Sequence, residues 1–241
     1  MQTIGIIPAR YASTRFPGKP LTIIKGTSMI RRVYERALQS SSLDTVVVAT
    51  DDQRILEHVE AFGGNVVMTG SHHTTGTERC LEAAGLINAN DQDVIINIQG
   101  DEPFMYPEQI DQVAGLFTDP GTSIATLIKA MDAAEDASDP NRVKVVVDAR
   151  GNALYFSRSA IPFQRSESTP VRYKHLGIYG YRMDVLKALS ALTPTPLEKA
   201  EMLEQLRWLE HGLTIRTEVT LLESPAIDRP EDVKNLPPSL S

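Results

Sequence analysis

The sequence predicts an α/β protein with a Rossmann-like, mostly parallel sheet flanked by helices. Short apolar runs typical of buried strands alternate with segments of helical periodicity through the first half of the chain. Such alternation favours parallel strands joined by crossover helices. The 241 residues, 41% of them hydrophobic, are enough for a substantial core.

Each element of the first half has its own signal. Continuous apolar runs predict strands, and apolar residues at helical spacing, bounded by Ser, Pro or Gly, predict helices. Thr27 or Ser28 can cap the first helix. The predicted strands are 3–8, 46–50, 65–68, 94–98, 123–129 and 143–147. The predicted helices are 29–38, 53–62, 107–117 and one that ends near residue 87.

The pattern changes after residue 152. Two extended segments, 153–158 and 173–181, flank a polar loop at 164–172, which is typical of an antiparallel insertion. We therefore predict one α/β domain from 1–152 and 196–241, with an inserted subdomain at 153–195. An amphipathic helix at 196–211, a strand at 213–222 and a last helix from Pro230 complete the main domain.

Charge and composition exclude several functions. The net charge of −7, from 24 basic and 31 acidic residues, argues against binding to nucleic acid or an anionic membrane. No apolar run approaches the roughly 18–20 residues needed to cross a bilayer. The single Cys80 has no disulfide partner in the chain, and residues 1–3 do not resemble a signal peptide. We expect a cytoplasmic protein.

A basic loop follows the first predicted strand. It spans residues 9–21 and contains Arg10, Arg15 and Lys19 at the sheet edge where open α/β proteins bind ligands. Pro17 and Gly18 restrict and shape the backbone between these cations. Guanidinium groups hold phosphate oxygens in two-point contacts, so the loop suits a polyphosphate. The alternative is a solvated basic surface.

Two aspartates are candidate metal ligands. Asp101 follows a buried strand, and Asp228 precedes the last helix. Mg²⁺ prefers hard oxygen ligands, usually one or two carboxylates together with substrate phosphates. The alternative for both residues is a role in a turn or at a helix start. His72 and His73 could also suggest a metal site, but the sequence shows no third ligand, so we do not expect a metal site there.

Residues 6–21, IIPARYASTRFPGKPL, resemble the signature loop of the sugar nucleotidyltransferases, particularly the family of 3-deoxy-manno-octulosonate (Kdo) cytidylyltransferases. The loop does not match the Walker pattern. The resemblance extends over essentially the whole chain. It is carried further by QGDEP at 99–103, TTGTER at 74–79, ALYFSR at 153–158, KHLGIYGY at 174–181, EMLEQLR at 201–207 and IDRPED at 227–232.

The resemblance implies a transferase that joins CTP to Kdo, giving CMP-Kdo for lipopolysaccharide synthesis and pyrophosphate. It implies Mg²⁺ as cofactor, held by Asp101 and Asp228, and catalysis by Arg10, Arg15, Lys19 and Asp101. The implied nucleotide contacts are Ala9, Arg10, Ser13, Arg15, Lys19, Thr75, Gly76 and Thr77. The implied sugar contacts are Gln99, Arg158, His175, Tyr179, Glu204 and Gln205.

Two alternatives to this activity stay open. One is a cytidylyltransferase for another keto-acid sugar, such as 8-amino-Kdo or a sialic acid, and the polar loop at 164–172 is the segment to test. The other is a nucleotide-binding protein without catalysis, against which the presence of both aspartates argues. No residue in the sequence stands out as a general base.

A homodimer is also expected. The segment 153–195 has more apolar side chains than a small appendage can cover, and such surface usually marks an interface. The family resemblance implies a two-fold dimer through this region, and two-fold dimers are the commonest symmetric assembly. The side chains concerned are Leu154, Tyr155, Phe156, Ile161, Phe163, Leu176, Ile178, Tyr179 and Tyr181.

Overall fold

A computed structural model describes residues 1–12, 16–166, 171–225, 227, 229–234 and 236. Its strands are β1 Thr3–Ala9, β2 Ile23–Ile24, β3 Thr27–Ser28, β4 Thr45–Thr50, β5 Val66–Met68, β6 Val94–Asn97, β7 Ile124–Ala130, β8 Lys144–Val147, β9 Ala153–Ser157, β10 Tyr173–Arg182 and β11 Ile215–Val219. Its helices are α1 Met29–Ala37, α2 Gln53–Ala61, α3 Gly76–Leu86, α4 Pro107–Gly115, α5 Met183–Ser190, α6 Pro196–Glu201, α7 Glu204–Glu210 and α8 Pro230–Lys234. Within these residues, no helix has the length and apolar character needed to span a membrane.

Seven strands form the body of the main sheet. Their order is β11-β7-β10-β6-β1-β4-β5, with β8 and β9 attached through β10. The pairs from β6 through β5 are parallel, as are β11 and β7, whereas β10 runs antiparallel to both of its neighbours. The predicted α/β class with a mostly parallel sheet is confirmed.

The segment 153–195 is connected to this sheet along its length. β10 lies between β6 and β7 at the centre of the sheet, while β9 pairs with β8. β10 is therefore part of the main sheet, and β8 and β9 extend that same sheet. The division into two domains stays a prediction.

Helices cover both faces of the sheet. Side chains alternate between the faces along β1, so that Ile6 packs with the cluster that includes α3, α5 and α7, and Ile7 packs with the cluster that includes α1, α2 and α4. This alternation follows from the two-residue period of a strand. Trp208 and Tyr181, both almost fully buried, lie in the first of these clusters.

Two helices differ from the sequence expectation. The single helix predicted at 196–211 is wrong: α6 ends at Glu201, and Met202 has a left-handed backbone with φ of 53° before α7 begins. A left-handed non-glycine residue interrupts the helical hydrogen bonds, and helical spacing of apolar residues does not reveal it. The sequence analysis also omitted α5, although Met183, Leu186 and Leu189 are buried at helical spacing.

Candidate functional site

The basic loop begins where β1 ends, at the carboxyl edge of the parallel strands. Ala9 is the last residue of β1, and Arg10 is exposed beside it. Gly18 has a φ of 71° and donates its N–H to the Tyr11 carbonyl oxygen at 3.0 Å. A short 3₁₀ helix, Lys19–Leu21, follows. The positive φ explains the glycine, because other residues rarely adopt it.

The loop is joined to the β6 edge by an ion pair. Lys19 is only 9% exposed, and its Nζ donates to Asp101 Oδ2 at 2.9 Å. Burying a lysine without a partner is costly, so the carboxylate stabilises this position. The pair places a cation and an anion side by side in one cavity.

Gly100 allows the β6 loop to approach β1. A Cβ on Gly100 would lie 2.8 Å from the Pro8 carbonyl oxygen, which is closer than van der Waals contact permits. Because that oxygen belongs to the backbone, it cannot rotate away as a flexible side chain could. Glycine at this position therefore holds Asp101 next to the end of β1.

The first cavity, about 230 Å³, lies over this edge. The N-terminus of α3 forms one wall, with a capping box in which the Thr75 hydroxyl accepts from the Glu78 N–H and Glu78 accepts from the Thr75 N–H. The positive end of this helix favours anions. Thr77, one of the predicted nucleotide contacts, faces the neighbouring cavity instead. Residues lining the first cavity are Pro8, Ala9, Arg10, Lys19, Pro20, His73, Thr74, Thr75, Gly76, Arg79, Gln99, Gly100 and Asp101.

A second cavity, about 320 Å³, adjoins the first. It includes five of the six predicted sugar contacts: Gln99, His175, Tyr179, Glu204 and Gln205. The other lining residues are Gly76, Thr77, Asn97, Asp101, Glu102, Gly177, Tyr181, Leu203 and Trp208. Gly76, Gln99 and Asp101 line both cavities, so the two spaces meet along these three residues.

Hydrogen bonds fix the polar wall of the second cavity. Gln99 Nε2 donates to the Gly177 carbonyl oxygen at 2.8 Å, and the Thr77 hydroxyl donates to Glu204 Oε2 at 2.9 Å. Gly177 lies where the β10–β7 register shifts. Burial raises the pKa of the Glu204 carboxyl, against the effect of the hydrogen bond from Thr77. Glu204 is thus positioned by α3, the helix that also borders the first cavity.

Aromatic rings form the opposite wall. Tyr179 and Tyr181 stack with centroids 5.9 Å apart, and Trp208 packs edge-on against both. Among the described residues, neither tyrosine hydroxyl has a partner in full hydrogen-bond geometry, although Thr126 lies near the Tyr179 hydroxyl and Thr77 near the Tyr181 hydroxyl. Burial raises the pKa of both hydroxyls well above the ordinary value, so they stay protonated. Both tyrosines line the second cavity.

Sequence reasoning missed three polar members of the second cavity. Asn97 is buried at the end of β6 and its Oδ1 has no partner in the described structure. Burial raises the pKa of the Glu102 carboxyl to about 7, and the Asp101 charge acts in the same direction. Tyr181 shares a strand face with Tyr179, and this two-residue spacing was the available signal. Asn97 and Glu102 were harder to find from the sequence, because the site roles were assigned to their near neighbours Gln99 and Asp101.

Arg158 lies outside both cavities. Its guanidinium donates to the carbonyl oxygens of Glu201 at 2.7 Å and Pro140 at 2.8 Å. It therefore links the end of β9 to α6 and to the loop before β8. Its predicted contact with the sugar carboxylate stays a prediction.

Three predicted residues, Ser13, Arg15 and Asp228, lie outside the described residues. The neighbour of Asp228 is placed: the Ile227 N–H donates to the Asp101 carbonyl oxygen at 3.0 Å. The backbone at residue 227 therefore passes beside Asp101. Mg²⁺ coordination by the two aspartates stays a prediction.

The histidine pair has a partner that the sequence analysis did not find. His72, His73 and Glu82 lie together, each with one ligand atom within 4.8 Å of the others. The sequence showed no third ligand, whereas the structure places Glu82, from α3, against the loop after β5. Sequence separation concealed this proximity.

Burial of His175 makes the free energy of unfolding depend on pH. It packs against Phe156 and Tyr179, and burial lowers the pKa of its imidazole to about 3. In the unfolded chain the imidazole takes up a proton below about pH 6.5, whereas in the folded chain it does so only near pH 3. The free energy of unfolding therefore falls as the pH drops from 6.5 towards 3, by about 1.4 kcal/mol per pH unit. In urea titrations at pH 7.5 and 5.5, the wild type should lose roughly 1 kcal/mol more than His175→Asn. An equal loss of unfolding free energy in both proteins would contradict the lowered pKa of His175.

The cytidylyltransferase family profile matches residues 4–215. The chain belongs to this family. It is 51% identical to a 3-deoxy-manno-octulosonate cytidylyltransferase of Phocaeicola vulgatus, covering 97% of this chain and 95% of that protein. It is 49% identical to the enzyme of the same name from Myxococcus xanthus, covering 98% and 95%. The sequence-based family assignment is confirmed.

Comparison with solved structures also places this chain in the cytidylyltransferase family. A CMP:2-keto-3-deoxy-manno-octonic acid synthetase complexed with CTP superposes with a TM-score of 0.92 at 45% identity, covering 98% of this chain and 96% of that one. A putative glucose-1-phosphate thymidylyltransferase from Bacillus anthracis superposes with a TM-score of 0.65 at 16% identity, covering 97% and 93%. The second likeness concerns the fold alone.

Proposed function

We propose that this cytidylyltransferase-family chain transfers CMP from CTP to Kdo, giving CMP-Kdo and pyrophosphate. The observation that carries the proposal is the meeting of the two cavities at Asp101. One cavity is lined by the cations Arg10 and Lys19, which suit a triphosphate, and the other by hydroxyl, amide and carboxyl groups, which suit a sugar. The relatives named for this reaction, about half identical over nearly the whole chain, support it.

Binding of CTP is assigned to the first cavity. Arg10 and Lys19 face the phosphates, and the α3 N-terminus with Thr75 and Gly76 faces the base and ribose. Ala9, at the end of β1, completes this wall with its backbone. Ser13 and Arg15 continue the same loop and are proposed to contribute further phosphate contacts. Cations at these positions stabilise the charge that develops on the departing pyrophosphate.

Binding of Kdo is assigned to the second cavity. Gln99, Glu204 and Gln205 offer amide and carboxylate groups for its hydroxyls, while His175 and Tyr179 face it from β10. The anomeric hydroxyl then attacks the α-phosphorus and gives up its proton to solvent. A new oxygen–phosphorus bond forms, and the bond from the α-phosphorus to the pyrophosphate oxygen breaks. The residues hold both reactants at the junction of the cavities, and such positioning can account for a large part of the rate.

The donor set at the junction fits Mg²⁺. Asp101 supplies a partly exposed carboxylate beside the proposed phosphate site, and hard carboxylate oxygens are the ligands that Mg²⁺ prefers. We propose that Asp101 and Asp228 hold the ion, since the backbone next to Asp228 is hydrogen-bonded to Asp101. When bound, Mg²⁺ would neutralise phosphate charge and polarise the phosphoryl group.

The test is pyrophosphate release from CTP with a panel of acceptors. We expect the highest kcat/KM with Kdo, and lower values with 8-amino-Kdo and with a sialic acid. ATP in place of CTP serves as the nucleotide control. Pyrophosphate release with another acceptor but not with Kdo would overturn the acceptor assignment, and no release with any acceptor would overturn the transferase assignment.

Tyr179→Phe isolates one proposed Kdo contact. The hydroxyl it removes has no partner in full hydrogen-bond geometry and only Thr126 near it, so we expect a loss of stability of at most about 1 kcal/mol. A lost hydrogen bond of about 1 kcal/mol should raise KM for Kdo roughly fivefold and leave KM for CTP unchanged. Tyr34→Phe is the matched control, because the Tyr34 hydroxyl accepts from the Asn65 N–H far from both cavities. That control should lose stability but keep both KM values, and an unchanged KM for Kdo in Tyr179→Phe would refute the contact.

We also propose a cytoplasmic homodimer. Use of CTP, an intracellular nucleotide, supports the location, and exposed apolar side chains support the dimer. Of the nine side chains predicted to need covering, Leu154 and Phe163 are exposed, with Phe163 at 87%, and the nearby Val171 is exposed as well. The expectation was wrong for four others, which pack inside the chain because β10 is a central strand of the sheet: Phe156, Ile178, Tyr179 and Tyr181. Sedimentation equilibrium should give twice the 26.5 kDa chain mass, and Phe163→Glu should shift the equilibrium to single chains. A single-chain mass for the wild type at high concentration would exclude the dimer.

A further inference from the structure

A cluster of two histidines and a glutamate lies at the rim of the first cavity. His72 and His73 belong to the loop between β5 and α3, and Glu82 lies on α3. His73 lines the cavity, whereas His72 is exposed. This loop continues directly into Thr74 and Thr75, which also line the cavity. The cluster is separate from Asp101 and has no part in the proposed transfer reaction.

Glu82 holds the loop at two points. Its Oε2 accepts the Gly70 N–H at 2.8 Å and contacts His73 Nε2. The hydrogen bond to the imidazole lowers the pKa of the Glu82 carboxyl. One carboxylate therefore organises both ends of the short segment 70–73, and its charge faces an imidazole nitrogen.

Gly70 makes room for the second imidazole. A Cβ on Gly70 would lie 2.4 Å from His72 Cε1 and 2.5 Å from His72 Nδ1, so only glycine allows the His72 ring to lie there. The His72 and His73 rings have centroids 4.3 Å apart. One ligand atom from each of His72, His73 and Glu82 falls within 4.8 Å of the other two. Small side-chain rotations would therefore bring all three to one ion.

Two imidazoles and a carboxylate form a donor set for a transition metal. Zn²⁺ accepts nitrogen and oxygen ligands at about 2.0–2.2 Å, whereas Mg²⁺ prefers oxygen ligands alone. The exposure of His72 leaves space for a water molecule as a fourth ligand. We propose that His72, His73 and Glu82 bind Zn²⁺ or a similar divalent transition-metal ion.

Metal binding would take the place of a hydrogen bond. The contact between His73 Nε2 and Glu82 Oε2 occupies one ring nitrogen and one carboxylate oxygen, and a metal ligated by both atoms would replace it. The ion would then join the loop 70–73 to α3 in the same way as the hydrogen bond does, but with an additional link to His72. The wall that contains Thr74 and Thr75 would become more rigid. This inference does not depend on the proposed function.

The test is metal binding by the chelator-treated full-length protein. Calorimetric titration with Zn²⁺ in excess Mg²⁺, which occupies oxygen-only sites, should give one Zn²⁺ per chain. His72→Ala and Glu82→Gln should each weaken the affinity by at least 10-fold, because each removes a ligand. Glu82→Gln retains an amide oxygen that can accept the Gly70 N–H, so the loop should keep its structure.

His211→Ala is the control, because His211 is an exposed histidine at the end of α7. It should bind Zn²⁺ like the wild type. Titration with Co²⁺ gives an independent readout, since nitrogen ligation in a four-coordinate site produces strong visible absorption, and His72→Ala should abolish it. No Zn²⁺ binding by the wild type, or wild-type affinity in both His72→Ala and Glu82→Gln, would overturn the proposal.

Discussion

Asp101→Asn should reduce turnover by two orders of magnitude or more while the fold is retained. In the wild type, Lys19 Nζ donates a hydrogen bond to Asp101 Oδ2 at 2.9 Å. Asparagine has nearly the same shape as aspartate, and its side-chain oxygen can still accept this hydrogen bond. What is lost is the negative charge at the junction of the cavities, where the proposed Mg²⁺ binds. Loss of a ligand charge affects the reaction far more than it affects packing.

The measurement is kcat for CMP-Kdo formation across a range of Mg²⁺ concentrations, with thermal unfolding as the check on the fold. Asp119→Asn is the matched control, because Asp119 is an exposed aspartate whose carboxylate caps a surface turn. That variant should keep wild-type turnover. If Asp101→Asn also did so at all Mg²⁺ concentrations, Asp101 would have no role in the site.

Lys19→Met should weaken CTP binding by about 10- to 100-fold, the scale of a hydrogen bond to a charged group. Methionine keeps most of the length of the side chain but removes the charge. Lys19 lines the first cavity and not the second. KM for Kdo should therefore change little, which separates a nucleotide contact from a general structural role.

Calorimetry with CTP in the absence of Kdo measures this effect directly. Lys187→Met provides the control, since Lys187 forms an exposed ion pair with Asp91 on another part of the surface. The basic-loop assignment would fail if Lys19→Met bound CTP as tightly as the wild type. Equal losses for CTP and Kdo would instead indicate that the loop had lost its structure.

Local signals in the sequence were enough for the α/β class and most of the element positions. Strands β1, β4 and β6 are continuous apolar runs, and their carboxyl ends must meet at one edge if they are parallel. For this reason the basic loop and Asp101 could be assigned to one site. The family motifs added the second cavity, which no single residue in β10 or α7 would have indicated.

Long-range features could not be predicted in this way. The central position of β10 depends on pairing with β6 and β7, which no local pattern specifies. The break at Met202 depends on one left-handed residue. Glu82 reaches His73 only because α3 folds back along the loop before it. Each of these depends on contacts between segments, whereas periodicity reports only on the segment itself.

The residues that would select the nucleotide and those that would select the acceptor sugar come from different parts of the chain. In the described part of the chain, every residue that lines only the first cavity precedes Asp101, whereas most of those that line only the second follow residue 174. Replacing the later segments with those of a relative could thus exchange the acceptor sugar and leave the nucleotide loop intact. The central β10 sets the limit, because any exchanged segment has to preserve its pairing with both neighbouring strands.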